Sequence, residues 1–215
     1  MSKNNGKQKV NLFYKFVRFI AAIVVHLFFR IQVIGRENIP DTGGFISSGN
    51  HRSLWDVVVL AVAMKNRQLR FLAKEELFKF KPIGYLFEKV GAYPVNRGHG
   101  DFAALDASAD IIKSGQIVNI FPEGTRSLSG VPLKPKSGVG LVAFEARSDV
   151  LPFCIYLEGQ YRFMKKITIR FGEIIKYDSF HVANTEKLSS KERKRISREI
   201  MDAIISLLEK GHEKA

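Results

Sequence analysis

Gly44-Phe45-Ile46-Ser47-Ser48-Gly49-Asn50-His51-Arg52-Ser53-Leu54-Trp55-Asp56 reads as a strand that runs into a turn and then opens a helix, and that reading decides the fold. The apolar pair Phe45-Ile46 gives way to the small, turn-forming Ser47-Ser48-Gly49-Asn50, and a helical run follows to Met64 with Asp56 in its first turn. A histidine and a carboxylate five residues apart do not share a face of a regular element. On an ideal helix they point about 140° apart, and on a strand they lie on opposite faces. His51 therefore belongs to the turn, from where its side chain can meet Asp56. A carboxylate so placed fixes the imidazole tautomer and stabilises the imidazolium, which is the support a histidine general base needs when it takes a proton from a hydroxyl. The competing reading makes Ser53 a helix cap, Asp56 its capping-box partner and His51 an ordinary loop residue.

A second block stands further along. Ile117 to Phe121 reads as a short buried strand, with Pro122-Glu123-Gly124-Thr125-Arg126-Ser127 at its carboxyl end, where α/β sheets bind ligands. Pro122 ends the strand, Gly124 permits close backbone approach, and Arg126 offers a planar fork suited to a phosphate. The plainer alternative is a turn held by a Glu123–Arg126 ion pair.

Outward from these blocks, strands and helices alternate. Gln32 to Ile34 and Gly44 to Ser48 are predicted strands joined by a polar turn containing Pro40-Asp41, and a helix from Ser53 to Met64 follows. Leu69 to Ala73 and Gly91 to Val95 are strands that flank a helical segment ending at Leu86 to Lys89 behind Pro82. Asp101 to Ser114 is a helix closed by Gly115, and Ser137 to Arg147 is another. Leu151 to Leu157 and Lys166 to Ile175 are strands, and Ser190 to Lys210 is an amphipathic helix. Ser189 and Glu192 have capping-box spacing before that last helix, Ile196, Ile200, Ile204 and Leu207 share one of its faces, and its basic run Lys191 to Arg198 is read as a solvated face. The alternation argues for an α/β sandwich.

The chain has 215 residues, 46% of them hydrophobic, enough for one substantial core, and no repeat or low-complexity linker divides it. Its one cysteine, Cys154, lies among apolar residues in a predicted strand and is expected to be a packed core thiol, which fits a cytoplasmic setting. Thirty-four Lys and Arg against 21 Asp and Glu give a formal charge of +13, so the preferred partner surface is anionic. Nucleic acid has only composition behind it, because no zinc-ligand pattern, helix-turn-helix signal or aromatic RNA-binding motif accompanies the charge.

A membrane surface has more. From Leu12 to Ile31, Lys15, Arg18, Ala22, His26 and Arg30 recur at intervals of three and four, so one face is basic. The other face carries Leu12, Phe13, Phe16, Phe19, Ile20, Ile23, Val24, Leu27 and Ile31, the pattern of a helix lying in the membrane interface. Its charges interrupt any apolar run near the ~18 residues of a spanning helix, and no small-residue cleavage site marks a signal peptide. The alternative is a helix packed on the protein with its basic face in water. Two regions are expected, residues 1–31 as a basic segment with an amphipathic membrane helix and residues 32–215 as the catalytic domain, placing the protein at the cytoplasmic face of the cell membrane as a peripheral or monotopic protein.

Taken together, Asn50 to Asp56 and Phe121 to Ser127 resemble the 1-acylglycerol-3-phosphate O-acyltransferases (lysophosphatidate acyltransferases), a membrane-bound family that moves a fatty acyl group onto lysophosphatidate. Gly91-Ala92-Tyr93-Pro94-Val95-Asn96-Arg97 resembles the family's second block and Val150-Leu151-Pro152-Phe153 its fourth, in the expected order. The resemblance covers roughly Ile31 to Gly172. It departs at Asn96, where an acidic residue is common, and in the short region before the first motif. It implies a mixed, largely parallel sheet covered by helices, with an N-terminal amphipathic membrane-interface helix.

It also implies transfer of an acyl group from coenzyme A or acyl carrier protein to the sn-2 hydroxyl of lysophosphatidate, making phosphatidate without a metal or cofactor. In that reaction His51 is the base and Asp56 its orienting partner, a backbone N–H near Gly124 meets the oxyanion, and Arg126 clamps the acceptor phosphate with Arg97 and Lys74 in support. Glu123, with Gly124 and Thr125 beside it, is expected to hold that cation cluster. Alternatives are glycerol 3-phosphate or another lysophospholipid as acceptor, a lipid hydrolase, and a noncatalytic membrane-binding module. The hydrolase lacks a Gly-x-Ser-x-Gly elbow, and the module needs neither the His-Asp pair nor Arg126.

Overall fold

Among the described residues of the computed structural model (10–64, 67–95, 102–182, 185 and 187–213), seven strands form one sheet. They are β1 (Arg30–Ile34), β2 (Phe45–Gly49), β3 (Leu69–Lys74), β4 (Ala92–Val95), β5 (Ile117–Ile120), β6 (Val150–Tyr156) and β7 (Lys166–Phe171), in the order β1-β7-β6-β2-β5-β3-β4. Five neighbours, from β6 to β4, run parallel. β7 turns antiparallel against β6, and β1 lies parallel to β7 at the edge. The sheet is therefore mixed and largely parallel. It carries the carboxyl ends of β2, β5, β3 and β4 to one rim.

The helices are α1 (Leu12–Phe28), α2 (Trp55–Ala63), α3 (Lys81–Lys89), α4 (Phe102–Lys113), α5 (Gly138–Ala146) and α6 (Ser190–Glu209). Strand alternation sorts the core into two layers. Phe45, Ile117, Leu69 and Leu151 pack with Val59 and Leu60 of α2 and with Val25 and Phe29 at the end of α1. Ile46, Val118 and Val150 face the other way, onto Val139 and Val142 of α5 and Ile196, Ile200 and Ile204 of α6. Each of these large side chains contributes about 1.5–3 kcal/mol by leaving water.

Several local expectations hold for visible reasons. Ser189 and Glu192 form a reciprocal capping box before α6, and Gly115 closes α4 with a left-handed φ of 88°. Cys154 is fully buried, and burial pushes its thiol up to about 12. Two expectations shift. The strand predicted to Ile175 ends at Phe171, because the register that pairs Phe171 with Phe153 would bring Ile174 to Val150, whereas Ile175 makes that bridge. One extra residue is thus inserted after Gly172, a bulge-like break in the ladder. The helix predicted from Ser53 begins instead at Trp55.

α1 presents Leu12, Phe16, Phe19, Ile20, Ile23 and Leu27 outward, all exposed, while Tyr14 and Val25 are buried. The expected basic stripe is not wholly in water: Arg18 turns inward and donates to the Met64 carbonyl at 2.7 Å. No described helix is long and apolar enough to cross a membrane. The sheet begins at Arg30, with Arg30 and Ile31 paired to Lys166 and Ile167, so α1 runs directly into its edge strand.

Candidate active site

β2 ends at Gly49, and Asn50 prolongs its pairing by one rung with a side chain: Nδ2 donates to the Ile155 carbonyl at 3.1 Å and Oδ1 accepts from Ile155 N at 2.8 Å. The chain then turns, and His51 Nδ1 lies 2.9 Å from Asp56 Oδ2. Asp56 is fully buried and accepts four bonds. Oδ2 takes His51 Nδ1–H and the backbone N–H groups of Arg52 (2.6 Å) and Ser53 (2.7 Å), and Oδ1 takes the Tyr161 hydroxyl (2.5 Å). Asp56 thus binds the His51 ring and the turn before α2 at once, whereas the expected capping box is not formed: the helix begins at Trp55 and Asp56 N donates to the Ser53 carbonyl. With a carboxylate oxygen as its partner, His51 donates through Nδ1–H, which makes Nε2 the acceptor nitrogen of the ring. Phe121 stacks on the imidazole, centroids 4.0 Å apart and planes within 8°, which holds the ring.

The second block lies against the first. Ser127 N donates to the His51 carbonyl at 2.8 Å, and Glu123 reaches across from the end of β5. Its Oε1 accepts from His51 N at 2.7 Å and its Oε2 from Leu133 N at 2.8 Å. This corrects the expected role of Glu123. Buried, it holds the backbone of His51 and of the 127–133 loop, neither a cation cluster nor an ion pair with Arg126. Burial pushes its carboxyl above the ordinary range, opposed by the two backbone donors.

Arg126 and Thr125 are exposed, and among the described residues Arg126 makes no hydrogen bond or ion pair, so its fork is open to an anion. Gly124 adopts a φ of +67° and its own N–H is committed to the Phe121 carbonyl at 3.1 Å. Lys74, at the end of β3, shares the rim and forms an exposed pair with Glu76 at 2.9 Å. Arg97 lies outside the described residues.

Three contributors had no signal in the sequence strong enough to single them out. Tyr161 is 105 positions from the carboxylate it serves. Lys136 lies over Gly124, so close that a Cβ there would sit 2.8 Å from its Cδ, which brings a cation beside the loop that bears Arg126. Only the Lys134-Pro135-Lys136 run before α5 hints at it. Arg52, inside the first block, points away from the site and donates to the carbonyls of Leu157 (2.9 Å) and Gly159 (2.5 Å), tying down the β6–β7 loop.

A family described as Acyltransferase matches residues 30–156, which contain both blocks. The chain belongs to the Acyltransferase family. This acyltransferase is 32% identical over 199 residues to the 1-acyl-sn-glycerol-3-phosphate acyltransferase of Bacillus subtilis (strain 168), covering 91% of this chain and 96% of that one. It is 28% identical over 182 residues to the Borreliella burgdorferi protein of the same name, covering 84% and 72% of the two. In fold, it resembles the crystal structure of the 1-acyl-sn-glycerophosphate (LPA) acyltransferase PlsC from Thermotoga maritima, with a TM-score of 0.68, 23% identity, and 94% and 82% of the two chains covered.

Proposed function

We infer that the protein is a 1-acyl-sn-glycerol-3-phosphate O-acyltransferase that makes phosphatidate for phospholipid synthesis. The observation that carries this reading is the buried His51–Asp56 pair at 2.9 Å, with the loop bearing an open Arg126 hydrogen-bonded to its backbone. Nε2 takes the proton of the sn-2 hydroxyl as its oxygen attacks the thioester carbonyl. Asp56 stabilises the imidazolium that results. A positioned base of this kind is worth about 100 to 10,000-fold. When the carbon–sulfur bond breaks, the thiolate leaves and recovers the proton from Nε2, so no enzyme nucleophile is needed. Arg126, with Lys136 beside Gly124, neutralises the acceptor phosphate. A backbone N–H beside Gly124, such as that of Thr125, serves as the donor for the oxyanion.

The exposed apolar face of α1 and the charge of +13 support seating on an anionic bilayer at the cytoplasmic face of the membrane. Acyl-CoA and acyl carrier protein both suit a basic surface as donors. The test is an assay of purified protein with lysophosphatidate, glycerol 3-phosphate or no acceptor, each with either donor. Phosphatidate formed only with lysophosphatidate supports the reading. Thioester hydrolysis without acceptor, or transfer to glycerol 3-phosphate alone, refutes it.

A further inference from the structure

Tyr161 occupies the loop between β6 and β7, and among the described residues its hydroxyl is the one donor to Asp56 that comes from outside the His51–Ser53 turn. The three donors on Oδ2 fix one oxygen, but the terminal torsion of an aspartate is soft, so they leave the plane of the carboxylate free to swing. A bond to the other oxygen removes that freedom. We propose that Tyr161 is the positioning residue of the His51–Asp56 pair, setting the plane of the Asp56 carboxylate and drawing part of its charge away from the imidazole.

Tyr161 is itself held firmly enough for the task. Its ring meets the edge of Phe29 at 5.6 Å and 78°. Its loop is tied at both ends, by Arg52 to the carbonyls of Leu157 and Gly159, and by Met164 N to the Phe28 carbonyl at 2.7 Å. A tyrosine serving only to pack Phe29 would leave its hydroxyl to solvent. This one commits it to a buried carboxylate. Burial, and then the charge of Asp56, push the phenol well above its ordinary range, so it remains a donor at any working pH. The other charged groups facing the cluster are Arg52, from the turn itself, and Glu123, from the end of β5.

Tyr161→Phe keeps the ring and its contact with Phe29 while deleting the hydroxyl. Without that donor more negative charge rests on Oδ2, the imidazolium is better stabilised, and the His51 titration moves up. The first readout is the His51 imidazole titration followed by NMR and compared with the wild type, with the variant's midpoint expected at the higher pH. The second is kinetic and rests on the proposed function. kcat falls on the order of ten-fold with both KM values within about two-fold, since a carboxylate free to swing holds the imidazole in its reacting orientation for less of the time without touching substrate, and the acid limb of kcat moves to higher pH because neutral imidazole is the reacting form. The same substitution in an Asp56→Asn background should shift His51 no further, because the effect passes through the carboxylate. A His51 titration unchanged by Tyr161→Phe, or shifted equally in the Asp56→Asn background, overturns the proposal. If the wild type transfers nothing to lysophosphatidate, the functional reading fails while the NMR comparison still decides the role of Tyr161.

Discussion

Replacing Asp56 separates its electrostatic role from its structural one. In Asp56→Asn the amide oxygen can take the place of Oδ2 and keep the bonds from His51 Nδ1–H, Arg52 N–H and Ser53 N–H, while the amide NH2 faces the Tyr161 hydroxyl, which rotates to accept. Charge-assisted bonds become neutral ones at a cost of about 1–2 kcal/mol in stability. In catalysis the loss is larger. Imidazolium and carboxylate, in contact at 2.9 Å with charge centres about 4 Å apart, attract by about 4 kcal/mol at an effective dielectric of 20, and that term exists only once His51 has taken the proton. kcat should therefore fall about 1,000-fold.

Asp56→Ala instead strands four donors, each left unsatisfied at about 1–3 kcal/mol, and should unfold or destabilise the protein by at least about 3 kcal/mol. Thermal denaturation and steady-state transfer to lysophosphatidate, measured on both variants, make the comparison. An Asn variant with wild-type stability and kcat within ten-fold of wild type would refute the electrostatic argument. An Asn variant as unstable as the Ala variant would show that the fold depends on the charge of Asp56 and not only on its acceptor geometry.

Arg126→Ala should raise KM for lysophosphatidate at least ten-fold with little change for the acyl donor, and Arg126→Lys should recover only part, since a point charge lacks the guanidinium fork; kinetics in both substrates test this. Cys154 should resist iodoacetamide at pH 8 until denaturant is added, and because its folded pKa of about 12 lies above the ordinary 9.0, stability should decline as pH rises through that window, as alkylation with mass spectrometry and pH-dependent denaturation would reveal. Membrane seating is best tested by Phe16→Asp with Phe19→Asp and Ile23→Asp rather than by deletion, since cutting at residue 31 would remove Phe29 from the core; the triple variant should stay folded but lose cosedimentation with anionic vesicles at high salt, where the ~8 Å Debye length of physiological salt is shorter still.

The order and type of the elements were legible because local patterns carry them: Ser189 with Glu192 opens a helix wherever it stands, and Gly115 closes one. Strand order was not, since nothing in Arg30 to Ile34 says that it lies beside β7 at the edge. The same divide runs through the site. His51, Asp56, Gly124 and Arg126 lie within two short blocks, so chemistry and spacing expose them together. Glu123 was visible but misassigned, because a carboxylate near an arginine suggests a pair, whereas its partners are backbone N–H groups that every residue but proline possesses. Tyr161 is invisible by any local rule, as its only qualification is a contact made by the closed fold.

The side-chain rung made by Asn50 gives the turn an unusual tolerance. Asparagine alone among the side chains offers a donor and an acceptor at the reach of a peptide group: aspartate lacks the donor, and glutamine is a methylene too long. Because that rung and the grip of Glu123 on His51 N set where the turn begins, the exposed Leu54 has no part in holding the imidazole. A library randomised at position 54 should therefore yield mostly working enzymes and one randomised at position 50 almost none, so the turn after β2 is a place where new surface properties could be written beside an unchanged His51–Asp56 pair.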